Sequence, residues 1–161
     1  MENFTAPDSA FPDDPYNLQR FLDAQEPIFE DVCRELRGGK KRTHWMWFIF
    51  PQIKGLGRSP MAEKFAISSR EEAKAYLEHP VLGPRLRECA RLVSAIDGRS
   101  IEDIFEYPDY MKFRSSMTLF AQVAPDKEVF NNCLRKYFNG KPDPETLARL
   151  SARQTADRQF R

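Results

Sequence analysis

The side chains best equipped for chemistry gather in one stretch, Lys41 to Ser59, which holds both tryptophans and His44, one of the two histidines. A basic doublet, Lys41-Arg42, leads into the run His44-Trp-Met-Trp-Phe-Ile-Phe50, then Pro51-Gln52 and the turn Gly55-Leu-Gly57-Arg58-Ser59-Pro60. An imidazole at the edge of an apolar wall can act as general acid or base near neutral pH, so His44 is the candidate catalytic group if a reaction is carried out. Indole faces stack on planar or cationic ligands, and a buried indole N–H needs an acceptor, which makes Trp45 and Trp47 candidate ligand walls. A glycine-bracketed turn entering a helix capped by Ser59, with Pro60 at the first helical position, would turn free backbone N–H groups toward an anion. Gln52, Gly55, Gly57, Arg58 and Ser59 form that end of the expected site, and Lys41 and Arg42 its basic rim. Further on, Lys112, Arg114 and Ser115 place basic and small polar side chains in an otherwise apolar helix, a second wall for the same pocket.

Each feature also has a purely structural explanation. The run Trp45 to Phe50 would be apolar all round as a helix, which equally describes the hub of a core. His44 could simply bond a neighbouring carbonyl, the glycine turn could be an ordinary loop, and Lys41-Arg42 a solvated turn. His79 reads as structural, set against the last carbonyls of a helix. The glycine turn is neither a P-loop nor a dinucleotide fingerprint, since the third glycine and the Gly-Lys-Ser/Thr ending are absent. With no His-Glu-x-x-His, no cysteine pair at zinc spacing and no Gly-x-Ser-x-Gly elbow, neither a metal site nor a cofactor is expected. Cys33, Cys89 and Cys133 are scattered on apolar stripes and read as small buried hydrophobes in a reduced compartment.

The elements that would position these groups are helical. Apolar residues recur at three-and-four spacing through Leu18, Phe21, Leu22, Ile28, Phe29, Val32, Cys33 and Leu36, with a break or kink expected at Pro27 and a stop at Gly38-Gly39. Ser69 with Glu72 and Ser100 with Asp103 look like capping boxes. Asp126 and Asp143-Pro144 look like further helix starts. No strand-length alternation occurs. The expected fold is an all-α, single-domain bundle of six to eight helices over residues 14–152, with flexible tails at 1–13 and 153–161.

Composition narrows the function classes. Charge is nearly balanced, 25 basic against 24 acidic side chains for a net +1, which argues against general nucleic-acid binding but not against one local basic pocket. The N-terminal residues lack the charged and apolar regions of a signal peptide, and the longest apolar run is far shorter than the roughly 20 residues a membrane span needs. A cytoplasmic protein with no membrane partner is expected.

The motifs Asp14-Pro-Tyr-Asn-Leu-x-Arg-Phe-Leu-x-Ala-Gln25, His44-Trp-Met-Trp-Phe-Ile-Phe-Pro-Gln52, Gly55-Leu-Gly57, His79-Pro-Val-Leu-Gly-Pro-Arg-Leu86 and Arg114-Ser-Ser-Met-Thr-Leu-Phe120 together resemble one bacterial family, the domain of unknown function numbered 1810. The resemblance covers nearly all of residues 14–140. It implies a mainly helical single domain and brings no activity or catalytic residue. Members are often labelled calpastatin, an animal inhibitor disordered when free; the 12% aromatic content and helical core pattern here are the opposite of a disorder signature, so that function is not carried over. Two expectations follow. The first is a pocket for an anionic or nucleotide-like small molecule between Lys41–Ser59 and the helix of Lys112; the second is a protein-interaction or scaffold module with no ligand pocket.

Overall fold

Proline, glycine and capping side chains divide the chain into short helices. The computed structural model describes residues 13–159, with side chains for residues 13–152, and among them are ten helices and no strand. In chain order these are α1 (Gln19–Gln25), α2 (Phe29–Arg37), α3 (Met46–Ile49), α4 (Pro60–Lys64), α5 (Arg70–Glu78), α6 (Leu82–Ser94), α7 (Ile101–Ile104), α8 (Asp109–Val123), α9 (Glu128–Phe138) and α10 (Pro144–Gln159). The all-α fold is as expected. The count exceeds six to eight because α3, α4 and α7 are one-turn helices, too short to leave a periodic stripe. The expected N-terminal tail lies outside the described residues apart from Asp13, and α10 continues past residue 152 to Gln159.

Helix α8 is the axis. Ser115 through Ala121 are all buried, so it has no solvent face along that stretch. It packs against α3, α5, α7, α9 and α10, while α6 backs onto α2, α5 and α9. The aromatic run meets α8 edge to face. Phe50 lies 4.9 Å from Phe113, and Trp45, Phe50 and Phe105 form a contiguous cluster around them, in the offset geometries aromatic quadrupoles favour. Trp45, Met46, Phe48, Ile49 and Phe50 are all buried; only Trp47 keeps partial exposure.

Buried polar groups tie the irregular segments to this frame. Gln25 Nε2 donates to the Phe48 carbonyl (2.7 Å) and to Tyr76 Oη (3.1 Å), linking α1, α3 and α5. Arg20 uses its whole guanidinium: Nε donates to the Lys64 carbonyl, Nη1 to those of Tyr16 and Asn17, and Nη2 to that of Ala66 and to Glu72 Oε2 at 2.8 Å. The other Glu72 oxygen accepts from Ser68 N and Oγ. Ser69 therefore caps α5 as expected, but Glu72 does not complete the box, because Arg20 and Ser68 occupy its carboxylate. Ser100 and Asp103 do form a full capping box.

His79 departs from its expected role. Its Nδ1 accepts the backbone N–H groups of Val81 and Leu82, so it caps the start of α6 and not the end of α5. No helix among the described residues is long and apolar enough to cross a membrane, and none of their His, Cys, Asp and Glu side chains group in threes suited to a metal ion.

Arg20→Leu leaves the Glu72 carboxylate, 3% exposed, without its cation, and denaturant unfolding should show a loss of about 3–5 kcal/mol. Arg20→Lys restores a point charge but not the fork, and should recover only part of that loss. The His79 imidazole is held below its ordinary pKa, burial outweighing the opposing pull of Asp14. Folding thus favours the neutral ring; its stabilisation is complete above the unfolded value of 6.5 and fades as pH falls through the lower folded one. His79→Asn, which can still cap but cannot titrate, should flatten the fall in melting temperature between about pH 7 and pH 5.

Candidate functional site

Helix α3 ends at Ile49 with Phe50 as its cap, and the chain then runs as an irregular loop to Ser69, interrupted by α4. Its two arms are joined by a single parallel bridge between Ile53 and Ile67, with Lys54 N donating to the Ile67 carbonyl and Ile67 N to that of Gln52, both at 2.8 Å. Arg20 grips the carbonyls of Lys64 and Ala66 from behind. A narrow cleft, with about 20 Å³ of free space, lies between these arms and α8. Met46, Phe50, Ile53, Ala62 and Phe65 make its apolar walls, and Trp47, Gln52 and Lys112 supply the polar groups.

Two groups in the cleft carry unspent capacity. Trp47 Nε1 is buried with no hydrogen-bond acceptor among the described residues, and a buried indole N–H usually has one. Lys112 Nζ stands 5.2 Å from the centre of the same indole, and its nearest carboxylate oxygen, Asp109 Oδ1, is 3.6 Å away. An ammonium and an N–H donor thus share one apolar recess.

The glycines of the loop serve close packing. A Cβ on Gly57 would fall 2.5 Å from that of Ala62, so glycine lets the loop lie on α4. Gly55 has φ +101° and supports the Arg149 guanidinium of α10, which a side chain there would displace. Ser59 caps α4 as expected, its Oγ accepting from Ala62 N at 3.1 Å. The capped helix has five residues, and Ser59 and Arg58 are exposed outside the cleft.

Lys41, Arg42 and His44 line a second, roomier basin of about 340 Å³ with Lys40, Glu106, Tyr107 and Asp109. Its lysines are already paired, Lys40 with Glu106 at 3.2 Å and Lys41 with Asp109 at 2.9 Å. Arg42 and His44 are exposed. Asp109 joins the two basins, because Lys41 meets one carboxylate oxygen and Lys112 the other.

The remaining expected residues are spent elsewhere. Trp45 is core, and its Nε1 donates to Glu35 Oε1 at 2.9 Å. The same carboxylate accepts from the backbone N–H groups of Arg42 and Thr43 and from Thr43 Oγ1. Burial pushes the Glu35 carboxyl up, yet these donors prevail and hold it below its ordinary value. Arg114 donates to the carbonyls of Lys141 and Pro142, and Ser115 Oγ to the Met111 carbonyl and Asp143 Oδ2; both hold the entry to α10 and do not face the cleft. Of the expected site, the cleft therefore unites Trp47, Gln52, Gly55, Gly57 and Lys112.

Asp109, Glu35 and Arg149 were missed. Asp109 carried a signal in its i,i+3 relation to Lys112. Glu35 and Arg149 act across turns and between distant helices, where spacing is silent.

The protein is similar to known sequences and structures of undetermined role. No curated protein matches it. The crystal structure of the conserved hypothetical protein Rv1873 from Mycobacterium tuberculosis, at 1.38 Å, is 54% identical, with a TM-score of 0.85 over 86% of this chain and 99% of that one. The family model described as "Protein of unknown function (DUF1810)" matches residues 15–150. With the expected motifs, the helical fold and that match in agreement, the chain belongs to the DUF1810 family of proteins of unknown function.

Proposed function

We propose that the protein binds a small anionic molecule in the cleft between α3, the Gln52–Ala66 loop and α8. Lys112 supplies the counter-charge, Trp47 Nε1 donates a hydrogen bond to the anion, and the indole with Met46, Phe50 and Phe65 covers a compact apolar or planar body. The observation that carries this reading is the buried Trp47 N–H without an acceptor beside an ammonium that shares its one carboxylate with a second lysine. The free space of about 20 Å³ is about that of a single water, which favours the smallest anions, inorganic phosphate or a small carboxylate, admitted as the exposed loop side chains part. Gln52 would read a polar edge of the ligand. His44 opens on the neighbouring basin, so the proposal assigns binding and no reaction.

A second reading, a protein-interaction module, draws on Tyr107 and Met111, which are 72% and 51% exposed beside the Lys40–His44 basin. The two separate in one experiment. Calorimetric titration against inorganic phosphate, small carboxylates and nucleoside monophosphates should find a ligand whose binding perturbs tryptophan fluorescence. Trp47→Phe should weaken it about tenfold or more, the cost of one hydrogen bond to a charged group. Lys112→Met should weaken it comparably and flatten its salt dependence, whereas Arg58→Ala should leave it unchanged. Binding indifferent to both cleft substitutions, or none across the panel, overturns the cleft reading in favour of the interaction module.

A further inference from the structure

The Lys40–His44 segment is irregular in backbone yet closely held. Lys41 N donates to the Ile104 carbonyl at 2.9 Å, and the N–H groups of Arg42 and Thr43 donate to Glu35 Oε1 at 2.7 and 3.1 Å. The segment lines one side of the basin of about 340 Å³, and the turn from Glu106 to Asp109 that opens α8 lines the other. Among the described residues only Val81, Tyr107 and Met111 are large hydrophobics left exposed, and two of these three belong here. Tyr107 lines the basin and Met111 follows it by four residues. The half-buried Tyr110 ring stands 6.0 Å from that of Tyr107 and backs it. Exposed apolar side chains gathered at one rim mark contact surfaces.

The charges of the basin do not cancel. Lys40 pairs with Glu106 at 3.2 Å and Lys41 with Asp109 at 2.9 Å, which occupies both carboxylates that line it. The side chains of Arg42 and His44 are exposed, with no acceptor or ion pair among the described residues. The unspent charge is therefore the Arg42 guanidinium, and its sign is positive. Tyrosine, methionine and arginine are also the types enriched at protein interfaces, and tyrosine and arginine carry much of the binding energy there.

The geometry points to a docking surface for a short acidic segment of a partner protein, one in which aspartates or glutamates flank a single large apolar side chain. The apolar side chain packs on Tyr107 and Met111, and the carboxylates meet Arg42 and His44, the guanidinium offering the fork that fits a carboxylate. This surface gives a partner to the interaction reading, on which it rests, and is independent of the cleft. Size selects a segment over a domain face, because about 340 Å³ admits a few side chains whereas stable contacts between folded proteins bury roughly 1,200–2,000 Å². Charge selects an acidic segment over a basic one. Nucleic acid is disfavoured, since a phosphate backbone needs an unbroken run of cations and Glu106 and Asp109 interrupt the run here. With the Arg42–Thr43 backbone already held by Glu35, docking orders only side chains on this wall.

The test selects a displayed library of random peptides on the full chain, with single-stranded oligonucleotides as a parallel probe. Enriched peptides should carry acidic residues beside one aromatic or aliphatic residue, and a synthetic copy of one should bind more weakly as salt is added. Arg42→Ala and Tyr107→Ser change exposed side chains, so the fold should survive, and each should weaken that binding about tenfold or more. Arg58→Ala removes an exposed cation elsewhere and should leave it unchanged. Phosphate titration of Arg42→Ala should match that of the unsubstituted protein, so the cleft is scored separately. Enriched sequences that are basic or wholly apolar, yet still need Tyr107, overturn the acidic partner and keep the interaction reading; no enrichment overturns both. Indifference of the peptide to both substitutions, tighter binding of the oligonucleotide, or self-association of the chain abolished by Tyr107→Ser also overturns the proposal, the last by making a second copy the occupant.

Discussion

The guanidinium of Arg20 is the contact on which the irregular half of the molecule depends. Between Phe50 and Ser69 the chain has one turn of helix and one bridged residue pair, so most of its carbonyls need partners from elsewhere. Arg20 supplies donors to four carbonyls and one carboxylate from a single planar group. It thereby joins the segment before α1, the end of α4 and the start of α5. Charge-assisted bonds of this kind are stronger than neutral ones, and the rigid fork loses little freedom in forming them. The outer wall of the cleft is thus braced from behind, by a residue that does not line it.

Glu35 performs the complementary task with acceptors. One carboxylate gathers the N–H groups of Arg42 and Thr43, the Thr43 hydroxyl and the Trp45 indole, so the chain leaves α2, turns through the glycines and enters α3 along a fixed path. The two tryptophans are separated in role by that one contact. Trp45 has its acceptor within the protein and is core; Trp47, two residues on, lines the cleft with its N–H unspent.

Which features were legible in the sequence follows from their range. Pro27, Ser69, Ser100 and Asp143 act within a turn of helix, and each marks a helix boundary or cap as its type suggested. The burial of Trp45, Met46 and Phe48 to Phe50 followed from unbroken apolar character, with Trp47 the exception. The site was legible only in part: Trp47, Gln52, Gly55, Gly57 and Lys112 share a cleft, whereas Arg114 and Ser115 face the α10 entry and His44 a separate basin. What spacing could not reveal are the pairings of Arg20 with Glu72 and Gly55 with Arg149, which close only when segments distant in sequence pack.

On the proposed reading, Asp109 sets how strongly the cleft attracts an anion. Its carboxylate stands between two ammonium groups, 2.9 Å from Lys41 and 3.6 Å from Lys112, and all three side chains are largely withdrawn from solvent. Lys41 also lies over the Trp45 ring, so it is held in place on two sides. The shorter pair neutralises Asp109 and leaves one unbalanced positive charge, on the lysine that faces the cleft. A half-buried ammonium that shares its carboxylate with a second lysine is only partly compensated, and in the proposed complex an anion would supply the rest. Without Asp109, two adjacent cations would repel and Lys112 would swing toward water; with a second carboxylate, the cleft would be neutral and have no claim on an anion. The arrangement of two lysines on one aspartate keeps Lys112 in position and leaves its charge available.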